Sequence, residues 1–141
     1  MQGEVTIMEL GMYAENMISN YENPSNKHSI KEPTAKAHEE NISCGDRIDV
    51  YLKIEANKVK EMSFEGSGCV ISMGTANMLS DEARGKSLAE IERMGREQLL
   101  KIISIDPGPV RMHCATLSLR ALKRAVFGFE KKPVDEATKD L

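Results

Sequence analysis

From Arg47 to Glu55 the chain reads RIDVYLKIE, in which four aliphatic side chains alternate strictly with polar or charged ones. A period of two is typical of a β-strand with one buried face and one face in water. Ala56-Asn57-Lys58 is predicted to be a hairpin turn, since Asn tolerates left-handed backbone. A second strand is expected at residues 59–65. Thr34–Ser43 has a weaker pattern and predicts a third, edge strand.

On either side of these strands the apolar residues recur at helical spacing. Pro24 should end the first helix, Gly85 should cap the second, and Ser87 with Glu90 should begin the third. The order of helix, strands and helices favours an α+β fold, a small antiparallel sheet of about three strands with helices packed on one face. The predicted helices are Ile7–Tyr21, Cys69–Ala83, Ser87–Met94, Arg96–Ile103 and Val110–Phe127.

The length and composition favour one globular domain. The chain has 141 residues, of which 40% are hydrophobic and 29% charged, a balance unlike that of disordered proteins. We expect residues 1–128 to form the domain. Residues 129–141 are charged, and they are predicted to be a polar, frayed C-terminal tail.

Charge and cysteine content exclude several classes of protein. With 19 Lys and Arg against 22 Asp and Glu, the net charge is −3, which argues against a nucleic-acid partner. Three Cys argue against a secreted disulfide framework. Met1–Glu4 lacks the basic start of a signal peptide, and the longest apolar cluster, Leu99–Ile105, is far shorter than the ~20 residues of a membrane span. We therefore expect a cytoplasmic protein with reduced thiols and no membrane association.

Each of the three cysteines lies at a junction between predicted elements. Cys44 follows a strand, while Cys69 and Cys114 open helices, where free N–H groups and the helix dipole lower the pKa of a thiol. With Asp46 or His113 added, the set has the stoichiometry that tetrahedral zinc or an iron–sulfur cluster accepts.

The alternative is structural, because a free Cys is most often a small buried hydrophobe. Asp46 could then be a turn residue and His113 a solvated helix residue. The protein would be an interaction module of helices on a sheet, with no metal and with thiols that react only on unfolding.

Four stretches make the chain resemble the IscU/NifU N-terminal/SufU family of iron–sulfur cluster assembly scaffolds. They occur in the family's order, across roughly residues 8–128. The resemblance implies the SufE/NifU-like version of the α+β fold. The stretches are Tyr13–Asn26 with its Tyr-Glu-Asn-Pro-x-Asn ending, Cys44-Gly45-Asp46, Phe64–Ser72 around Cys69, and Pro109–Leu117 around Cys114.

The resemblance also implies roles for these residues. Cys44, Cys69 and Cys114 become ligands of a labile 2Fe–2S cluster, and Asp46 and His113 are candidates for the fourth position. Asp46 would modulate cluster release, and Cys114 would accept persulfide sulfur. The implied partners are a cysteine desulfurase, an iron donor and recipient apo-proteins, so the protein is expected to be a scaffold and carrier rather than an enzyme.

Departures from the family pattern keep a second function open. The stretch before Cys114 is Pro107-Gly108-Pro109-Val110-Arg111 instead of Leu-Pro-Pro-Val-Lys, which argues against a DnaK-type chaperone. Cys69-Val70-Ile71-Ser72 is more like SufU, which implies a zinc-bound sulfur acceptor that stimulates a desulfurase. The interval to Cys114 is too short for the usual SufU insertion, and the ligand set with His113 favours the IscU type. A homodimer would let two subunits share or couple clusters.

Overall fold

The computed structural model describes residues 7–141, with side chains from residue 11 onward. The predicted elements are present, with ends that differ by a few residues. The N-terminal stretch Met1–Glu4 and the predicted apolar side chains of Ile7 and Leu10 lie outside the described part. The elements are α1 (Ile7–Glu22), β1 (Ala35–Asn41), β2 (Asp46–Glu55), β3 (Lys58–Ser67), α2 (Val70–Ala83), α3 (Leu88–Arg93), α4 (Arg96–Ile103), α5 (Gly108–Glu130) and α6 (Glu136–Lys139).

The three strands form one antiparallel sheet in the order β1-β2-β3. The alternation in β2 places its aliphatic side chains in the core, and the intervening side chains lie on the opposite face. Ala56 and Asn57 form the predicted hairpin turn, both with positive φ, as a tight two-residue turn requires. The structure thus confirms the central strand predicted from the period of two and the hairpin that joins it to β3.

Helices cover one face of the sheet, as expected for the α+β fold. α5 packs across β1 and β2, while α2 packs on β3 and on α5. The predicted apolar stripe of α5 is fully buried in its middle and emerges at its ends, where Met112 is partly exposed and Phe129 is 39% exposed. The fully buried members are Ala115, Leu119, Leu122 and Val126.

The segment after α1, Asn23-Pro24-Ser25-Asn26, connects that helix to the rest of the domain through hydrogen bonds of Asn26. Asn26 is 2% exposed, and its side-chain amide donates to the Asn77 carbonyl at 3.1 Å and to Asp81 at 2.9 Å. Its backbone N–H donates to the Asn77 side chain at 2.9 Å, and its carbonyl accepts from the Phe64 N–H at 3.0 Å. Asn26 therefore joins the segment after α1 to both α2 and β3.

The C-terminal residues pack against the domain, so the prediction of a frayed end is wrong. Thr138 is fully buried, and Leu141 is 7% exposed within the main hydrophobic core. Arg120 on α5 donates to the Leu141 carbonyl at 3.0 Å. α5 itself runs through residue 128 to Glu130. The sequence offers few apolar residues after Phe129, which is why the docking of Leu141 was not anticipated. The division at residue 128 stays a prediction.

Within the described chain, no helix combines the length and the apolar character needed to cross a membrane.

Candidate metal centre

The ends of four elements meet at one end of the sheet. Because β2 and β3 are antiparallel, the start of β2 lies beside the end of β3, where Arg47 pairs with Ser67. The loop between β1 and β2 carries Cys44, and Asp46 is the first residue of β2. Cys69 is the N-cap of α2, and Cys114 lies near the start of α5. Residues that are distant in the sequence are thereby brought together.

Cys44, Asp46 and Cys114 form a compact group. One ligand atom from each lies within 4.8 Å of the other two, and the two sulfurs are 3.6 Å apart. Cys44 is exposed, whereas Asp46 is 3% exposed and Cys114 fully buried. Among the residues described, these form the only group of three or more His, Cys, Asp or Glu side chains whose ligand atoms lie this close together.

The Asp46 carboxylate has one oxygen engaged and one without a partner. Its Oδ1 accepts from the Cys69 backbone N–H at 3.1 Å, while Oδ2 is buried and accepts from no N–H or O–H group. The carboxylate also interacts with the Cys114 thiol and raises the pKa of that thiol. A buried carboxylate oxygen without a partner is unfavourable unless a cation or donor meets it. The residues therefore fit a metal ion, with thiolate sulfur and one carboxylate oxygen as donors.

Gly68 leaves the space that Asp46 occupies. A Cβ at Gly68 would lie 2.6 Å from Asp46 Oδ1 and 2.4 Å from Ser72 Oγ. Both distances are shorter than real Cβ contacts, so any larger residue would displace the Asp46 carboxylate and the Ser72 hydroxyl. Glycine at position 68 therefore keeps these two side chains in the positions that the structure shows.

The Cys69 thiol is stabilised as a thiolate by the start of α2. Partial burial acts to raise its pKa, but hydrogen bonds from the Ser72 backbone and side chain act in the opposite direction, and the net pKa is lowered. The Ser72 N–H lies 3.4 Å from Cys69 Sγ. The exposed Arg111 guanidinium also contacts Cys69, which raises the pKa of Arg111. The predicted effect of a helix N-terminus is confirmed here.

The same prediction is wrong for Cys114. Burial raises the pKa of this thiol strongly, and the neighbouring Asp46 and Cys44 raise it further. α5 begins at Gly108, two residues earlier than expected, so Cys114 lies in the second turn, where the helix dipole has less effect. Cys114 is therefore protonated in the metal-free protein and must lose its proton to bind a metal.

The five predicted site residues do not all converge. The structure groups Cys44, Asp46 and Cys114, and it places Cys69 against Asp46, to which the Cys69 backbone N–H donates. His113 is exposed, and it lines an open groove together with Ile42 and Ser43, outside the metal-sized group. The position of His113 at the rim follows from the helix, in which successive side chains point about 100° apart.

Asn41, which no sequence motif singles out, is 8% exposed and contacts the site. Its Nδ2 donates to Cys114 Sγ at 3.8 Å. From the sequence, an Asn at the end of a strand predicts a turn and gives no indication of a contact with a cysteine. Only the fold shows that its side chain reaches a cysteine 73 positions away.

Comparisons with known proteins agree with this arrangement. The family described as NifU-like N terminal domain matches residues 12–136. An iron–sulfur cluster assembly scaffold protein, IscU of Thermotoga maritima, is 33% identical over 131 residues, covering 82% of this chain and 92% of its own. The zinc-dependent sulfurtransferase SufU of Bacillus subtilis is 30% identical over 132 residues, covering 82% and 89%.

Solved structures show the same fold. The N-terminal part of a nitrogen-fixing NifU-like protein from Brucella abortus superposes with a TM-score of 0.70. It covers 86% of this chain and 96% of its own, at 19% sequence identity.

Proposed function

The chain belongs to the family of NifU-like N-terminal domains, and from this and its cysteine site we propose that it is a scaffold for iron–sulfur cluster assembly. It assembles a labile 2Fe–2S cluster from iron and desulfurase-derived sulfur and then passes the cluster to apo-proteins. The observation that carries this proposal is the group of Cys44, Asp46 and Cys114 within 4.8 Å, which Cys69 adjoins because its backbone N–H donates to Asp46 Oδ1 at 3.1 Å.

The ligand set explains why the cluster would be labile. Three thiolates from Cys44, Cys69 and Cys114 hold the irons, and Asp46 Oδ2 completes the set, because it is buried with no other partner. Oxygen is a weaker ligand for iron in such clusters than thiolate, and Cys44 is open to solvent. A recipient's thiolate can therefore displace the ligands one at a time. His113, at the rim, is the second candidate for the fourth position.

Sulfur reaches the site from the persulfide of a cysteine desulfurase, with Cys114 as the acceptor. The sulfur of the Cys114 thiol attacks the terminal sulfur, the S–S bond of the desulfurase persulfide breaks, and the proton of Cys114 passes to the departing desulfurase thiolate. Cys114 is fully buried, and its sulfur lies 3.6 Å from that of the exposed Cys44. Delivery therefore requires the loop that carries Cys44 to move aside.

Transfer to a recipient tests the proposal. The protein is reconstituted without oxygen from desulfurase, cysteine, ferrous iron and a thiol reductant, which supplies electrons to turn persulfide sulfur into sulfide, and it is then mixed with an apo-ferredoxin. We expect the ferredoxin spectrum to develop at the expense of the scaffold spectrum, and a Cys69→Ser variant to support neither step. A protein that forms a cluster but never transfers it would contradict the scaffold role.

A zinc-bound sulfur acceptor is the second candidate function. It is favoured by the size of the group formed by Cys44, Asp46 and Cys114, which suits one tetrahedral ion, and by the exposure of the Cys44 thiol. In that case the zinc-loaded protein would accelerate a desulfurase that uses cysteine, and it would form no cluster under reconstitution. The measured quantities are the desulfurase turnover and the visible absorption.

A further inference from the structure

Asn41 is a buried polar residue at the end of an edge strand whose other side chains are exposed or only partly buried. It is the last residue of β1, it pairs with Asp46 across the sheet, and it is 8% exposed. The even-numbered residues before it in β1 are exposed, and the odd-numbered ones are only partly buried. Burying an amide is costly unless its N–H and C=O groups are hydrogen bonded.

The backbone and the side-chain oxygen of Asn41 hold the loop that carries Cys44. The Asn41 carbonyl accepts from the backbone N–H groups of Cys44 at 3.2 Å and of Gly45 at 2.8 Å. Its Oδ1 accepts from Ser43 Oγ at 3.0 Å. Gly45 adopts a φ of 74°, the left-handed conformation that closes this turn. One residue thus fixes the path of the chain around Cys44.

The side-chain nitrogen of Asn41 is directed at the other cysteine of the group. Nδ2 donates to Cys114 Sγ at 3.8 Å, and both residues are buried. A neutral thiol is a weak acceptor, but a metal-bound thiolate is charged, so the same N–H···S bond is stronger when a metal is bound. Part of the energy of this contact is gained only in the metal-bound state.

We propose that Asn41 is a positioning residue, which sets the distance between Cys44 and Cys114 and donates a hydrogen bond to the metal-bound sulfur of Cys114. The inference rests on the proposed function, since it assigns Asn41 a role in the same site. Asn41 touches neither the metal nor the transferred sulfur. It acts through the loop on one side and through Cys114 on the other.

Anaerobic titration with Co²⁺ tests this role without any assay of cluster transfer. Residues that orient metal ligands typically change metal affinity about 10–100-fold when they are replaced. We expect Asn41→Ala to weaken Co²⁺ binding by about that factor. The sulfur-to-cobalt charge-transfer bands should also move to lower energy, because the thiolate no longer shares its charge with an N–H donor.

Ser43→Ala is the matched control, because it removes the hydrogen bond to Asn41 Oδ1 and leaves the donor to Cys114 in place. We expect its charge-transfer bands to be those of the unchanged protein. Identical Co²⁺ affinity and band energies for Asn41→Ala and the unchanged protein would overturn the inference. An unchanged protein that binds no Co²⁺ would instead contradict the proposed metal site.

A second measurement on the unchanged chain keeps the test independent of how the variant folds. With NMR-active cadmium bound, a scalar coupling between the metal and the Asn41 side-chain amide protons should be observed, carried through the sulfur of Cys114. A cadmium-loaded protein in which these protons show no coupling to the metal would also overturn the inference.

Discussion

Asp46 combines two properties that are seldom found in one buried carboxylate. Its Oδ1 is fixed by the N–H of Cys69, while its Oδ2 is buried and accepts from no N–H or O–H group. The first property fixes the orientation of the side chain, and the second leaves an oxygen available to a metal ion. In the proposed scaffold, a weakly bound oxygen of this kind would give a recipient's thiolate a place to enter.

We predict that Asp46→Ala slows cluster transfer to an apo-ferredoxin by about tenfold or more, because the exchangeable ligand is lost. His113→Ala should leave the transfer rate within about twofold, since the imidazole lies at the rim of the site. The measurement is the rate at which the ferredoxin spectrum develops after mixing.

The two variants together decide the fourth ligand. An unchanged rate in Asp46→Ala would contradict its role in cluster release. Slowing in His113→Ala alone would assign the fourth position to His113.

At the residue scale, the sequence identified the candidate ligand residues, but it did not identify the side chains that surround them. Cys44, Asp46, Cys69 and Cys114 could be proposed from their types, their junction positions and the family resemblance. The partners that tune them, Asn41 and Ser72, could not, because their importance depends on contacts that form only in the folded chain. The lowered pKa of Cys69 was predictable from its position at a helix N-terminus, whereas the raised pKa of Cys114 depends on its burial beside Asp46 and Cys44.

At the scale of elements, α1 depends on a close approach to α2. A Cβ at Gly74 would lie 2.6 Å from the sulfur of Met17 and 2.8 Å from its carbonyl oxygen. Met17 is itself 2% exposed, so it has little room to move. The two helices therefore pack at a distance that only glycine allows at position 74.

Gly74→Ala is predicted to lower the free energy of unfolding by about 1–3 kcal/mol, the usual cost of overpacking. Urea denaturation monitored by circular dichroism measures it. Gly128→Ala is the matched control, because an added Cβ in α5 would meet nothing within 4 Å. Ala is also the better helix former by ~1 kcal/mol, so this control should be stabilised. Equal stability of the two variants would show that α1 does not pack as described.

The β1–β2 pair carries a pH-dependent contact. The His38 ring nitrogens lie 3.0 Å from a Glu40 carboxylate oxygen and 2.9 Å from an Asp49 carboxylate oxygen. Both hydrogen bonds raise the pKa of His38, and the bond with Glu40 has the larger effect. A pKa raised by folding adds stability that is fully present below the unfolded pKa of about 6.5 and is lost as the pH rises through the folded value.

His38→Gln should therefore lower the free energy of unfolding at about pH 5.5 and have almost no effect at about pH 9. The loss should stay below about 1 kcal/mol, because the side chains involved are close to half exposed. The check is urea denaturation of both proteins at the two pH values. A loss of equal size at both would contradict the ion-pair origin of the effect.

The types of the elements were predictable, because the spacing of apolar residues changes after β3 from every second residue to every third or fourth residue. The ends of α5 were not predictable in this way. The helix was expected to begin at Val110, but it begins at Gly108 with Pro109 in its first turn, where the missing N–H of proline has no helical partner to lose. At the other end the helix continues to Glu130, and Lys131 in the left-handed conformation terminates it.

At the scale of the whole molecule, the C-terminal residues complete the core. Leu141 belongs to the main hydrophobic cluster, and the buried Lys123 on α5 donates to the Met94 carbonyl at 2.6 Å. α5 is thus covered by the sheet on one side and by α3 and the C-terminal segment on the other. This helix presents Cys114, so the packing behind it helps to fix the site.

Leu141→Ala is expected to cost about 2 kcal/mol of the free energy of unfolding, because it leaves a cavity in the core. Lys139→Ala should change stability by less than about 0.5 kcal/mol, since the Lys139 side chain and its ion-pair partner Glu136 are both more than half exposed. Thermal or urea unfolding compares the two. Equal effects would mean that the C-terminal residues contribute nothing to the core.

The convergence of the site is a property of the whole fold. Spacing along the sequence gave no measure of the distance between Cys44 and Cys114, which lie 70 residues apart and 3.6 Å sulfur to sulfur. That closeness arises from the antiparallel register of the sheet and from the path of α5 across β1. The family resemblance could predict this closeness, because proteins that share the family's motifs are expected to share its fold.

Metal and sulfide content is the measurement that tests the proposed scaffold most directly. The protein is purified without oxygen and reconstituted with desulfurase, cysteine, ferrous iron and a thiol reductant, and iron, sulfide and zinc per chain are then determined together with the visible absorption. We predict matching amounts of iron and sulfide and visible charge-transfer bands, both lost in Cys69→Ser. Zinc alone, with no cluster after reconstitution, would contradict the scaffold function and favour the sulfur acceptor.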